Sequence, residues 1–237
     1  MVAGTILIIA KMIWYPSVVM YASGATTIFL MIILVDAGLG PLLTFIAYQP
    51  AKSEKALKID FSIIVALQLI ALAYGSWTLA GGRPVYYVFS VDRFELVQAN
   101  EIPREFLEDD LAGKYAILPL MGPDWVYAVL PDDSDEQAQL LTNQIAHGVD
   151  LAQTPKYYQP LAEGTAIMRQ KLRPLSDLET INTEQELKSK FLSANILERA
   201  DFGYFPLATK KKDMTVILNK ASLDVVAIVD LNPWVND

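Results

Sequence analysis

The sequence predicts an α+β protein: N-terminal transmembrane helices followed by a mixed α+β extracytoplasmic domain that ends in a C-terminal β-hairpin. Three observations lead there. The chain is 53% hydrophobic over 237 residues, more apolar than an ordinary soluble domain. Charge is divided unevenly: residues 1–82 hold four lysines (Lys11, Lys52, Lys55, Lys58) against three acids (Asp36, Glu54, Asp60), while the rest of the chain holds 15 basic and 24 acidic side chains. Two runs in the first third are each long enough to cross roughly 30 Å of hydrocarbon, which takes about 20 apolar residues. The expected division is a membrane anchor over 1–82 and a soluble α+β domain over 83–237.

The anchor's second and third spans are read at about 26–48 and 61–80, the latter as "FSIIVALQLIALAYGSWTLA". A first, shorter span is read at about 2–20; Lys11 interrupts it, and the charge reaches the headgroups beside Trp14 and Tyr15, taken as an interfacial aromatic pair. The loop "QPAKSEKALKID" carries Lys52, Lys55 and Lys58, whereas Pro16 to Ala25 carries no charge. By the positive-inside tendency the lysine loop is cytoplasmic, so the domain after Gly82 lies outside, which is the periplasm in a Gram-negative cell.

In the domain, "RPVYYVFSVDRFELVQ" is rich in Val, Tyr and Phe with rough period-two alternation and predicts the first strand. Val85 to Val91 is expected to lie inside the sheet, with pairing to a client strand as the alternative. "PREFLEDDL" predicts a short acidic helix and "DWVYAVLP" a second strand. Ser134 with Gln137 forms a capping-box signature ahead of Leu140, Leu141 and Ile145, and Gly148 ends that helix. Thr183 with Glu186 forms a second, opening a helix whose apolar face is Leu187, Phe191 and Leu192. Met214–Leu218, a polar turn at 219–224 and Val225–Leu231 predict the hairpin. The basic triplet Lys210–Lys212 before it is read as a solvated turn.

Composition also excludes function classes. An acidic domain is a poor partner for nucleic acid, whose phosphates require a basic face. With no cysteine there is neither a disulfide framework nor a thiolate site, and with His147 as the single histidine there is no histidine metal cluster. His147, next to Gly148, is expected to end a helix and interact with its dipole. "DDSDE" (132–136) lacks the spaced ligands and central glycine of a calcium loop and places negative charge at a helix start. No nucleophile elbow, phosphate loop or zinc-protease motif is present. The chain is therefore expected to be non-enzymatic and to need no cofactor or metal.

"WYP" after the first apolar segment, "LVDAGLGPLLTFIAYQP", the lysine turn ending in "LKIDF", "ALQLIALAYG", "RPVYYVFSVDRFELV" and the terminal "VVAIVDLNPW" together resemble the TfpX/TfpZ family of type IV pilin accessory proteins. The resemblance covers nearly the whole chain. It implies a multi-pass protein of the bacterial inner membrane that assists a cognate type IV pilin in stability, assembly or surface display, its spans contacting the pilin helix and its periplasmic domain the pilin head. Members of that family begin with a longer first apolar segment, so the resemblance also implies a shortened first span here. The alternative is a membrane-tethered periplasmic ligand-binding sensor or scaffold, for which the short Lys52–Lys58 loop offers no output domain.

Asp36, near the centre of the second span, is the residue that most needs an explanation. A carboxylate there costs about 3 kcal/mol on insertion scales, so it must face protein or water. Gly38 and Gly40 let helices approach closely, and Pro41 removes a backbone donor. Asp36, Gly38, Gly40 and Pro41 are thus the candidate partner-binding or helix-packing residues. Three roles stand open: a packing bond within the helices, to Gln68 or Tyr74; a contact with a polar group on a client's transmembrane helix; or proton or ion translocation, which usually needs more intramembrane ionisable groups than one acid and an interfacial lysine. The pilin helix that the resemblance implies carries a glutamate and a free amino group near its start. Besides pilin, membrane lipid is the expected partner; oligomeric state is not fixed by the sequence.

Overall fold

The computed structural model describes residues 2–49, 52–108, 112–196 and 199–234. Helix α1 (Val2–Ile13) is followed by a break at Trp14–Pro16 and the short α2 (Ser17–Ala22). The expected first span over 2–20 is therefore split. Twelve residues rise about 18 Å, well short of the hydrocarbon thickness. Val19 and Ala22 of α2 are buried against the sheet and not among helices. The second apolar helix runs Ala25–Ala47, through α3 (Ala25–Ile33), a π-helical turn (Leu34–Leu39) and α4 (Gly40–Ala47). The third, α5 (Glu54–Gly81), is capped by Ser53, whose hydroxyl accepts from Ala56 N at 3.3 Å. Its 28 residues reach about 42 Å. These last two are long and apolar enough to cross a membrane, and little of either is buried.

The remainder is a mixed sheet. Its strands are β1 (Pro84–Ser90), β2 (Arg93–Gln98), β3 (Asp124–Ala128), β4 (Tyr158–Pro160), β5 (Arg173–Pro174), β6 (Phe202–Ala208), β7 (Met214–Asn219) and β8 (Val225–Val229). The order is β4-β3-β1-β2-β6-β7-β8, with β5 pairing off-path onto β6. β1 runs parallel to β3 and β2 parallel to β6, and the other pairings are antiparallel. Every residue of β1 is buried, so it is an internal strand, as its continuous apolar run requires.

Alternation divides the core. Tyr87, Phe89, Phe94, Phe205 and Val216 point to one face, where α2 and α7 (Thr165–Lys171, through Met168) cover them. Tyr86, Val88, Val97 and Val126 fill one half of the other face, beneath Leu151 and Tyr158. Tyr204, Ile217 and Val229 fill its second half beneath Leu187 and Phe191 of α8 (Glu184–Ser193). Phe89 lies 5.3 Å from Phe94 and 5.0 Å from Phe205 between ring centroids, in tilted and edge-on geometries that favour aromatic contacts.

Several expectations are corrected. The stretch 84–98 is a tight hairpin of two strands, turning at Val91 and Asp92 with Val91 at φ 55°. That conformation normally takes Gly or Asn, so no turn residue marked it. "PREFLEDDL" forms only a 3₁₀ turn at Arg104–Leu107, and residues 109–111 lie outside the described residues. Helix α6 (Ser134–His147) is capped one residue earlier than expected: Asp133 Oδ1 accepts from Asp135 N at 2.7 Å and Glu136 N at 3.1 Å. Its Leu141 and Ile145 are exposed, and so is Leu192 of α8. The Thr183–Glu186 capping box forms as read, and the C-terminal hairpin pairs Thr215 with Val229 through Leu218 with Val225.

Candidate functional site

The middle of the Ala25–Ala47 helix is shaped by Pro41. Proline lacks an N–H, and its ring crowds the carbonyl four residues back, which here belongs to Ala37. The backbone widens to accommodate it: the N–H of Gly40 donates to Val35 O, five residues back, and regular α-helix resumes at Gly40–Ala47. Such π turns recur at functional sites because they redirect side chains and loosen the ladder. Thr44 Oγ1 then donates to the Gly40 carbonyl at 2.9 Å.

Asp36 lies within this π turn, half-buried. It borders a groove of about 300 Å³ between the helix and α5, with Met31, Ile32, Gln68, Tyr74 and Thr78 among the walls. Among the described residues its carboxylate has no hydrogen-bond or ion-pair partner. Gln68 and Tyr74, the anticipated packing partners, share the groove without bonding to it.

The other three candidates separate by position. A Cβ on Gly40 would stand 2.0 Å from Gln68 Nε2, so a larger residue there would push the end of the Gln68 side chain aside. Gly38 turns away and meets only Leu34 of its own helix, at 3.4 Å. Pro41 is exposed and acts through the π turn. Gly75 belongs to the site and was missed: its Cβ would come 2.6 Å from Ile32 Cγ1. Ala71 and Gly75 four residues apart form a small-x-x-x-small pattern, which is the signal that could have found it. Asp36 and Gly75 thus line one groove, Gly40 packs beside it against Gln68, and Gly38 does neither.

The helices are fastened to the sheet at one end. A helix leaves its last four carbonyls without internal partners, and three of those on α5 are taken. Thr78 O accepts from Gly82 N at 2.9 Å, Leu79 O from the Tyr15 hydroxyl at 2.8 Å and Ala80 O from Arg83 Nη1 at 2.7 Å. Tyr15 is fully buried, edge-on to Phe29, and is therefore a core residue and not an interfacial one. The α2–α3 turn docks on the domain: Ala22 O accepts from Lys211 N at 3.0 Å and Thr209 Oγ1 at 3.1 Å. Buried Gln98 donates to Ser23 O at 3.0 Å and accepts from Lys210 Nζ at 2.8 Å. Lys210 also meets Glu101 at 3.1 Å, and Lys212 meets Asp230 at 2.6 Å. All three lysines stay exposed, as a solvated turn requires, but Lys210, Lys212 and the Lys211 N–H also clasp neighbouring segments.

At the opposite end Lys52 pairs with Asp60 at 2.7 Å, while Lys55 and Lys58 remain exposed. Within the sheet, burial pushes the Glu95 carboxyl above the usual range, partly offset by the Ser90 hydroxyl donating to it at 2.9 Å. The groove's walls are largely aliphatic, and its polar groups are a carboxylate, an amide and hydroxyls.

No family model matches the chain, and no solved structure matches it. Three curated proteins of Dichelobacter nodosus are similar. The fimbrial assembly protein of serogroup I is 29% identical over 227 residues, covering 94% of this chain and 86% of that protein. The serogroup E1 protein is 28% identical over the same shares. The protein of serogroups C1 and C2 is 38% identical over 90 residues, 38% of this chain and 69% of the relative.

Proposed function

This chain belongs to the family of fimbrial assembly proteins, and from that premise we propose that it is a non-enzymatic inner-membrane factor assisting a cognate type IV pilin. The finer placement in the TfpX/TfpZ group rests on the order of the sequence blocks 34–50, 57–75, 83–97 and the C-terminus. The helices 25–47 and 54–81 cross the membrane, α1 lies alongside them, and the sheet domain, from residue 83, stands in the periplasm. One observation carries the reading: the unpartnered Asp36 carboxylate beside a tight two-glycine helix contact, on helices whose outer surface is aliphatic. An acid at that depth is tolerated when a partner's polar group meets it. The pilin's transmembrane helix fills the groove and presents such a group to Asp36, while the clasped domain, fixed in orientation by Gln98 and Lys210, meets the pilin head.

The test is the Asp36→Leu variant with co-purified pilin as the readout, beside Gly38→Ala as an outward-facing control. Pilin recovery and surface pili fall in the first and persist in the second. Undiminished recovery and normal piliation with Asp36→Leu would remove the groove from the account, and intact pili in a strain lacking the gene would remove the role itself.

A further inference from the structure

The segment "AILPLMGP", 116–123, connects the second core to β3 and carries three of the most exposed apolar side chains of the domain: Ile117 at 83%, Leu120 at 71% and Met121 at 75%. Soluble surfaces seldom cluster large aliphatic groups this way without a partner. The exposure is imposed by anchoring. Leu118 turns inward to the second core. The Trp14 indole donates to Leu120 O at 2.8 Å, and Arg83 Nε donates to Pro119 O at 3.3 Å. A Cβ on Gly122 would face Ile13 O at 3.9 Å.

Those anchors fix where the loop stands. Trp14 and Ile13 mark the end of α1, and Arg83 follows the end of α5 by two residues. The loop is held level with the point where the apolar helices finish, next to a tryptophan of the kind that collects at headgroup depth. With the Pro119 and Leu120 carbonyls bonded inward, the side chains it presents, Ile117, Leu120 and Met121, are all aliphatic, which fits lipid better than a specific protein surface.

We propose that residues 117–121 form a membrane-interface anchor in which Ile117, Leu120 and Met121 insert among the headgroups and upper acyl chains of the leaflet from which α5 emerges. This rests on the reading that α5 crosses lipid. The anchor gives the domain a second membrane foothold beside the helix ends, holding the sheet at a fixed tilt over the groove. Shallow aliphatic insertion of this sort adds binding in proportion to buried apolar area.

The chain contains no cysteine, so single nitroxide labels can be placed in the full-length protein. The positions are Leu120→Cys, Met121→Cys, Leu69→Cys in the middle of α5 and Leu192→Cys on α8; all four side chains are exposed, so labelling leaves the cores intact. In vesicles of phosphatidylethanolamine and phosphatidylglycerol, collisions with oxygen and with a water-soluble nickel chelate are compared. The expected oxygen-to-nickel ratio at 120 and 121 is several-fold above that at 192 and below that at 69. A ratio at 120 and 121 equal to that at 192 overturns the anchor while leaving the span intact. Protection from both reagents overturns it in favour of a protein contact. A ratio at 69 no higher than at 192 brings down the spanning reading, and the anchor with it.

Discussion

Helix α5 and strand β1 are both apolar runs, yet the structure treats them in opposite ways. "IIVALQLIALAYG" leaves Ile63, Val65, Leu67, Leu69 and Ile70 each more than half exposed, whereas "PVYYVFS" is buried at every position. The residue types overlap; the difference lies in what surrounds them. The strand hides its side chains in two aromatic and aliphatic cores contributed by the same chain, while the helix has only its neighbours α1 and α3–α4 on one side. Apolar side chains that stay exposed cost free energy in water and none in hydrocarbon, and α5 is long and apolar enough to cross a membrane.

The sharpest way to break the contrast is to truncate matched side chains. Phe89→Ala, in the aromatic cluster with Phe94 and Phe205, should cost about 3–5 kcal/mol. Leu69→Ala, 60% exposed on α5, should shift thermal unfolding of the detergent-solubilised protein within about 0.5 kcal/mol. Comparable losses at both sites would mean that α5 has a protein core around it.

The clasp joins the two regions, and Gln98→Leu probes it. That change leaves Ser23 O and the Lys210 ammonium without Gln98, at an expected cost of about 1–3 kcal/mol. Hydrogen exchange should speed up at Lys211 N, which bonds the same turn, while β6–β7 amides away from the turn stay protected. Within the helices, Gly75→Val drives a side chain into Ile32 and should cost about 1–3 kcal/mol of helix packing without disturbing the sheet. Near-UV circular dichroism of the domain's aromatic cluster reads the separation.

The smallest effect concerns Glu95. Its folded-state pKa is raised by burial, so the folded protein binds this proton more tightly than the unfolded chain does. Its contribution is fully favourable below the ordinary carboxylate pKa and is lost as pH rises through the raised value. Melting temperature should therefore fall modestly across that window, and Glu95→Gln should flatten the fall while raising stability at neutral pH.

What the sequence revealed follows from how strongly each feature is written in a single stretch. The helix over 25–47, the β7–β8 pairing and the Thr183 cap are local patterns and stand close to where the residues put them, whereas α5 begins at Glu54, ahead of the expected 61, and takes Lys55 and Lys58 of the expected loop into its first turns. The β1–β2 turn was invisible because Val91 occupies a backbone conformation that its residue type disfavours. Tyr15 was misplaced because an interfacial aromatic and a buried one look alike until Leu79, 64 residues away, supplies the carbonyl. The contact that the exposed Lys210 makes was hidden for the same reason: Gln98 lies 112 residues away. At the groove, Asp36 and Gly40 were legible as an acid and a small residue in an apolar run. Gly75 was not singled out, since its meaning depends on Ile32 across the helix pair.

On the proposed topology the apolar helices lie in lipid and set the lysine-bearing start of α5 and the sheet domain on opposite sides. Single cysteines at Lys55 and Leu192, both exposed, test it with a membrane-impermeant maleimide applied to spheroplasts. The 192 label should react at once, and the 55 label only after the membrane is permeabilised. Reaction at both sites in intact spheroplasts, or at 55 alone, would contradict it.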